Sequence, residues 1–166
     1  MTPHETRFDG IRVRYDAAKS YDELLAALLA DIGKKPVLLN QIAAPTDNWQ
    51  SYQAKVEART GPSGFMLFAL LDHGAWITRA GIERKAMRVV LGNPLIAITM
   101  LRHDVTAALF APVELLLVDE GESGSSLTYV KPSSLMVVEP NPELLRAAEG
   151  LDAKLAALAA KVTSGS

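Results

Sequence analysis

The spacing of apolar residues along the chain switches between period two and the helical period. Over Phe8 to Asp16 ("FDGIRVRYD"), Ile11, Val13 and Tyr15 alternate with Arg12 and Arg14, which predicts a strand with one buried face. "SYDELLAALLADIGKK" then repeats apolar residues at helical spacing through Leu24, Leu25, Leu28 and Ile32. Its ends are written in: Ser20 and Glu23 form a capping box, and Gly33 with Lys34 closes it. Gly33 to Ser63 is less regular. A helix is predicted there from Asp47 to Arg59, with Trp49, Tyr52 and Val56 on one side, stopped by "TGPSG".

"FMLFALLD" (Phe65 to Asp72) is apolar without alternation and reads as a strand covered on both faces. "HGAWITRAG" reads as a loop or short helical turn, and Arg84 to Leu91 as the next strand. Gly92-Asn93-Pro94 breaks that strand into a helix reaching about His103. The core of that helix, "LIAITMLR", has no polar stripe beyond Thr99, so it is expected to be buried nearly all round. After Pro112 comes a hairpin, "VELLLVDE" and "SLTYVKP" around "GESGS". A long helix from Pro142 to Val162 follows, capped by Asn141, its seam running through Leu144, Ala148, Leu151, Leu155, Leu158 and Val162. Strands and helices interleave and a hairpin closes the sheet. The predicted class is α+β: a single mixed sheet in one domain, residues 1–166, with helices packed on it and tails at 1–7 and 163–166 expected to be mobile.

Composition narrows the chemistry. With 166 residues, 49% of them hydrophobic, the chain can bury roughly two-thirds of its unfolded surface. It contains no cysteine, which excludes disulfides, cysteine-held metals and thiol nucleophiles. A net charge of −2 gives no footprint for nucleic acid. "MTPHETRFDG" has no apolar signal region and the apolar runs are too short for a bilayer, so a cytoplasmic protein is expected. No phosphate loop, dinucleotide fingerprint, nucleophile elbow or zinc-protease motif is present. No cofactor or metal is expected.

Three histidines remain as candidate chemistry. His4 lies in the tail. His73 follows Asp72 where a strand leaves the core, a place suited to a general base oriented by Asp72 or to a binding group. The plainer account is a histidine that bonds a neighbouring carbonyl. His103, beside Arg102, sits in a last helical turn, where a cation faces the negative end of the helix dipole. With Asp72 and Asp104 the two histidines would make a metal-type donor set only if folding brought them together. Asn93 caps the Pro94 helix, and the N–H groups behind it predict a mild anion site with Arg79, Arg84, Lys85 and Arg88 near in sequence. In the plainer account Asn93 caps and nothing binds.

Four motifs follow in order: Asp72-His73 after an apolar strand, Gly92-Asn93-Pro94 opening an apolar helix, a strand after Pro112, and "LTYVKPSSL". Together they resemble the domain-of-unknown-function 302 family, from Ser20 to Met136. The resemblance implies a compact α+β fold and homodimers, and no established reaction. It carries the family's recurrent positions onto Asp72, His73, Gly92, Asn93, Pro94 and Tyr129. Two departures stand out: 33–63 is an insertion relative to the family, and Ala111 precedes Pro112 where the family tends to have Leu.

Three readings follow. In the first, a homodimer binds a small anionic or polar ligand at His73, Asn93 and Tyr129. In the second, an enzyme uses His73 as general base and the Asn93 helix terminus to stabilise an anion. In the third, the domain is structural and binds no ligand. The apolar helix and the C-terminal seam predict surface left over for a second subunit.

Overall fold

The computed structural model describes residues 1–165. Five strands form one sheet: β1 (Arg12–Ala17), β2 (Met66–Asp72), β3 (Ala86–Gly92), β4 (Val113–Asp119) and β5 (Ser125–Val130), in the order β1-β5-β4-β3-β2. Every pairing is antiparallel, so the sheet is not mixed. The fold class is α+β. The helices are α1 (Tyr21–Ile32), α2 (Leu39–Ile42), α3 (Trp49–Glu57), α4 (His73–Ile77), α5 (Pro94–Leu101), α6 (Pro132–Met136) and α7 (Pro142–Thr163).

The capping signals hold. Ser20 accepts from the Glu23 amide, and the Glu23 carboxylate accepts from the Ser20 amide, closing the capping box of α1. Asn48, Asn93 and Asn141 cap α3, α5 and α7 in the same manner, each side chain accepting from an amide two or three residues on. Helices α1 and α7 cover one face of the sheet, where Leu24, Leu28, Leu155 and Leu158 bury themselves against Leu115, Leu117 and Leu127. Each such side chain, fully removed from water, contributes roughly 1.5–3 kcal/mol. A small second cluster, Ile42, Val56 and Met66, seats α2 and α3 at the head of β2.

Three expectations about burial change. β2 is an edge strand; only Met66 and Leu67 are buried, and its far half opens to water at Leu71. Helix α5 is not central: Met100 is its one fully buried side chain, and Leu95, Ile96 and Ile98 stay partly exposed. The α7 seam, by contrast, is used up inside the chain, since Leu144, Leu151, Leu155, Leu158 and Val162 all lie in the core. It leaves no stripe for a partner.

One buried charge joins three distant segments. Asp31, in the last turn of α1, is 4% exposed. Its carboxylate accepts from Lys161 Nζ of α7 at 2.6 Å and from Ser63 Oγ at 2.7 Å. Burial alone would raise its pKa; hydrogen bonds from Lys161 and Ser63 outweigh burial and hold it below the ordinary carboxylate value. Ser63 sits in the "TGPSG" turn, whose Gly61 passes directly against the Asp31 backbone.

Candidate functional site

A cleft of about 340 Å³ opens between α3, α5 and the head of β2. Its roof is Trp49 and Tyr52, whose rings lie 5.7 Å apart. Phe65 and Phe68 bring further aromatic surface, and Ile96, Ala97 and Leu101 of α5 form one wall. No charged side chain lines it. Burial raises the Tyr52 phenol above its ordinary pKa, so it stays a neutral hydroxyl. Gly92 permits the close approach of Phe68 and Pro112, because a Cβ there would lie 3.0 Å from the Phe68 ring and 3.2 Å from Pro112.

Asn93 stands at this cleft. Its Oδ1 accepts from the Leu95 amide at 2.8 Å, and its Nδ2 donates to the Gly64 carbonyl at 2.9 Å. The side chain therefore caps α5 and ties it to the turn before β2. The expected anion site is absent for a simple reason. Pro94 has no N–H, the Leu95 amide is held by the Asn93 side chain, and the Ile96 and Ala97 amides donate to the Asn93 carbonyl. Arg84, Lys85 and Arg88 pair with Glu120, Asp22 and Glu114 instead. Asn93→Ala is expected to destabilise the fold by about 1–2 kcal/mol, through loss of the cap and of the Gly64 tie, as measured by urea unfolding.

The other sequence candidates do not converge on this cleft. Asp72 caps α4, its Oδ1 accepting from the Ala75 amide at 3.1 Å. The Nδ1 of His73 accepts from Trp76 Nε1, also at 3.1 Å. Each has a partner of its own, so Asp72 does not orient His73 and the dyad is not formed. His73 and Tyr129 instead border a wide trough over the outer face of the sheet. The Tyr129 ring belongs to the covered face, where it stacks on Tyr15 and is 5% exposed; burial, with Tyr15 beside it, pushes its phenol up from the ordinary pKa. His103 pairs with Glu143 of α7 at 3.1 Å, and Asp104 turns away to cap the 3-10 turn at Val105–Phe110. Among the described residues no cluster of three or more histidine, aspartate or glutamate side chains could hold a metal ion.

The aromatic roof and floor were not recognised as a site from the sequence. A signal existed: Trp49, Tyr52, Phe65 and Phe68 flank the "TGPSG" turn at short intervals in a chain with 6% aromatic residues.

Comparison with known proteins agrees with the motif reading. The family model described as Domain of unknown function DUF302 matches residues 42–162. That match includes α3 and every residue lining the cleft except Leu39, and extends past Met136 almost to the end of α7. No curated protein matches the chain. Among solved structures, the crystal structure of an uncharacterized conserved DUF302 protein from Bacillus stearothermophilus is similar, with a TM-score of 0.64 and 15% identity. The similarity covers 91% of this chain and 97% of that one, and at this identity it speaks for the fold alone. No helix among the described residues is long and apolar enough to cross a membrane.

Proposed function

This chain belongs to the DUF302 family, and from that premise we propose that it is a homodimeric module binding a small, neutral, apolar molecule in the cleft between α3 and α5. The observation that carries the reading is the chemistry of the walls: about 340 Å³ bounded by aromatic and aliphatic groups, with no charged side chain. That volume lies in the range of small-molecule sites, which are concave, largely apolar and mostly formed in advance. The polar atoms of Asn93 are already satisfied, so a ligand that needs a counter-ion would be stranded there. A neutral ring system or short hydrocarbon would not. The cleft therefore favours an apolar ligand over the anionic or polar one expected from the sequence. An enzymatic role for His73 has no geometric support, because its Nδ1 is engaged by Trp76 and Asp72 is engaged by a backbone amide.

N-phenyl-1-naphthylamine, a neutral fluorophore that brightens in apolar surroundings, tests the reading. Titration of the wild-type protein is expected to saturate at one probe per chain. Ala97→Phe fills the cleft and is expected to weaken binding at least about tenfold, roughly the 1.4 kcal/mol of one lost apolar contact. His73→Ala is expected to bind as the wild type does. Retained binding in Ala97→Phe with loss in His73→Ala would transfer the site to the sheet trough and overturn the proposal.

A further inference from the structure

We infer that the trough on the outer face of the sheet binds a single-chain amphipathic anion of the fatty-acid type. Its carboxylate sits on Arg12 and its tail lies over Val130 and Leu116. This site is separate from the cleft and does not depend on it. Helices α1 and α7 cover only one side of the sheet. The trough lies on the other side, and its volume of about 810 Å³ is within the range of small-molecule sites. The register places Arg14, Thr128, Leu116, Arg88 and Leu71 in one row across this face, with Arg12 and Val130 in the next. An antiparallel sheet facing water carries polar residues at such alternate positions. Here Leu116 is 38% exposed and Val130 36%, although both lie within strands. Leu109 and Phe110 border the same end of the trough, with Leu109 80% exposed. Leu135 of α6 and Val130 converge beside Arg12: a Cβ at Gly10 would lie 3.9 Å from the first and 3.5 Å from the second. From Arg12 on β1 to His73 beyond β2 the trough crosses the whole sheet. At about 4.8 Å between strands that is roughly 19 Å, comparable with an extended acyl chain of medium length.

The charges select the head group. Four arginines line the trough, Arg12, Arg14, Arg84 and Arg88, against two carboxylates, Glu114 and Glu120. Arg88 holds Glu114 through two of its nitrogens. Glu120 accepts from Arg14 and Arg84, and Arg14 also holds Asp16 at the margin of the sheet. Arg12 is left with no carboxylate partner among the described residues. It is exposed, and the planar fork of a guanidinium matches a carboxylate through two parallel N–H donors. Val130 is its cross-strand neighbour. A carboxylate on Arg12 therefore sets the first carbons of its tail on an apolar side chain.

Other occupants fit this surface less well. Its floor is made of side chains, and the strands beneath pair their amides and carbonyls with one another. An extended peptide laid across it would find no main-chain partners, whereas an acyl chain needs none. A nucleic-acid backbone would meet Glu114 and Glu120 on a surface with one unpaired cation. A neutral hydrocarbon would gain nothing from Arg12.

Isothermal titration with dodecanoate, kept below the concentration at which it forms micelles, tests the assignment. The wild type is expected to bind one dodecanoate per chain, and to bind dodecanol and acetate at least about tenfold more weakly. Arg12→Gln is expected to weaken dodecanoate by about tenfold or more, since hydrogen bonds to charged groups are the strong ones. Val130→Glu is expected to abolish binding, because it sets a carboxylate opposite Arg12. Both positions are exposed, and circular dichroism checks that both variants keep the fold. Ala97→Phe is expected to bind dodecanoate as the wild type does, while losing the neutral fluorophore. Failure of the fluorophore to bind would thus count against the cleft and leave the trough standing. Dodecanoate binding that persists in Arg12→Gln, that dodecanol matches, or that Ala97→Phe removes would overturn the proposal. So would a wild type that does not bind dodecanoate, or one that instead sediments with phosphatidylglycerol vesicles through Arg12, which would give the face to a membrane.

Discussion

Lys161→Met is expected to lower the free energy of unfolding by about 2–3 kcal/mol near neutral pH. Breaking a fully buried ion pair from one side costs about 3–5 kcal/mol, and the smaller figure reflects a half-exposed ammonium. The Asp31 side chain is only 2% exposed, whereas that of Lys161 is 57% exposed. Methionine keeps the length of the side chain and removes the donor, leaving the carboxylate with Ser63 alone. The pH dependence identifies the cause. In the wild type Asp31 has a lowered pKa. Its contribution is complete above the unfolded carboxylate value and is lost as pH falls through the folded one. Without Lys161, burial acts with far less opposition and pushes the pKa upward. The gap between the two proteins should therefore close as pH falls from about 7 to about 3. Urea unfolding of both across that range measures it, and a constant gap would remove Asp31 from the explanation.

Gly61→Ala is expected to cost about 3 kcal/mol, at the upper end for overpacking. A Cβ at Gly61 would lie 1.9 Å from the Asp31 carbonyl oxygen and 3.1 Å from that of Phe65. Both obstacles are backbone, which cannot turn aside as a side chain can. The turn itself must move, and it is held by the Gly61 amide donating to Phe65 and by Ser63 on Asp31. Thermal unfolding of Gly61→Ala, alone and combined with Lys161→Met, gives the check. The two changes act on one corner, so the double variant should lose less than the two losses added together.

Local signals were legible in the sequence wherever one segment carries its own instructions. The Ser20–Glu23 capping box, the Asn141-Pro142 start of α7 and the Gly92-Asn93-Pro94 junction each depend on residues within a few positions of one another. The hairpin of β4 and β5 and the α+β class follow from the same local reading. What failed depends on who covers whom. "LIAITM" states that α5 is apolar, but not that much of its surface borders a cleft and solvent instead of a core. "FMLFALLD" likewise does not state that β2 lies at an edge. The Asp31–Lys161 pair joins residues far apart in the chain and has no sequence signature. His73 and Asn93 each end a strand, which made them look alike; the register that separates them is a property of the assembled sheet.

The place of β1 affects the order of events during synthesis. This strand leaves the ribosome before the rest of the sheet, yet its sole partner is β5, with Arg12 opposite Val130. The helix packed against it, α7, emerges later still. At about 5–20 residues per second, β1 spends several seconds as an unpaired strand tethered to α1. Meanwhile β2, β3 and β4 can form their meander without it. The charged alternation of Arg12, Arg14 and Asp16 then does a second service, keeping the waiting strand soluble and a poor template for other nascent chains.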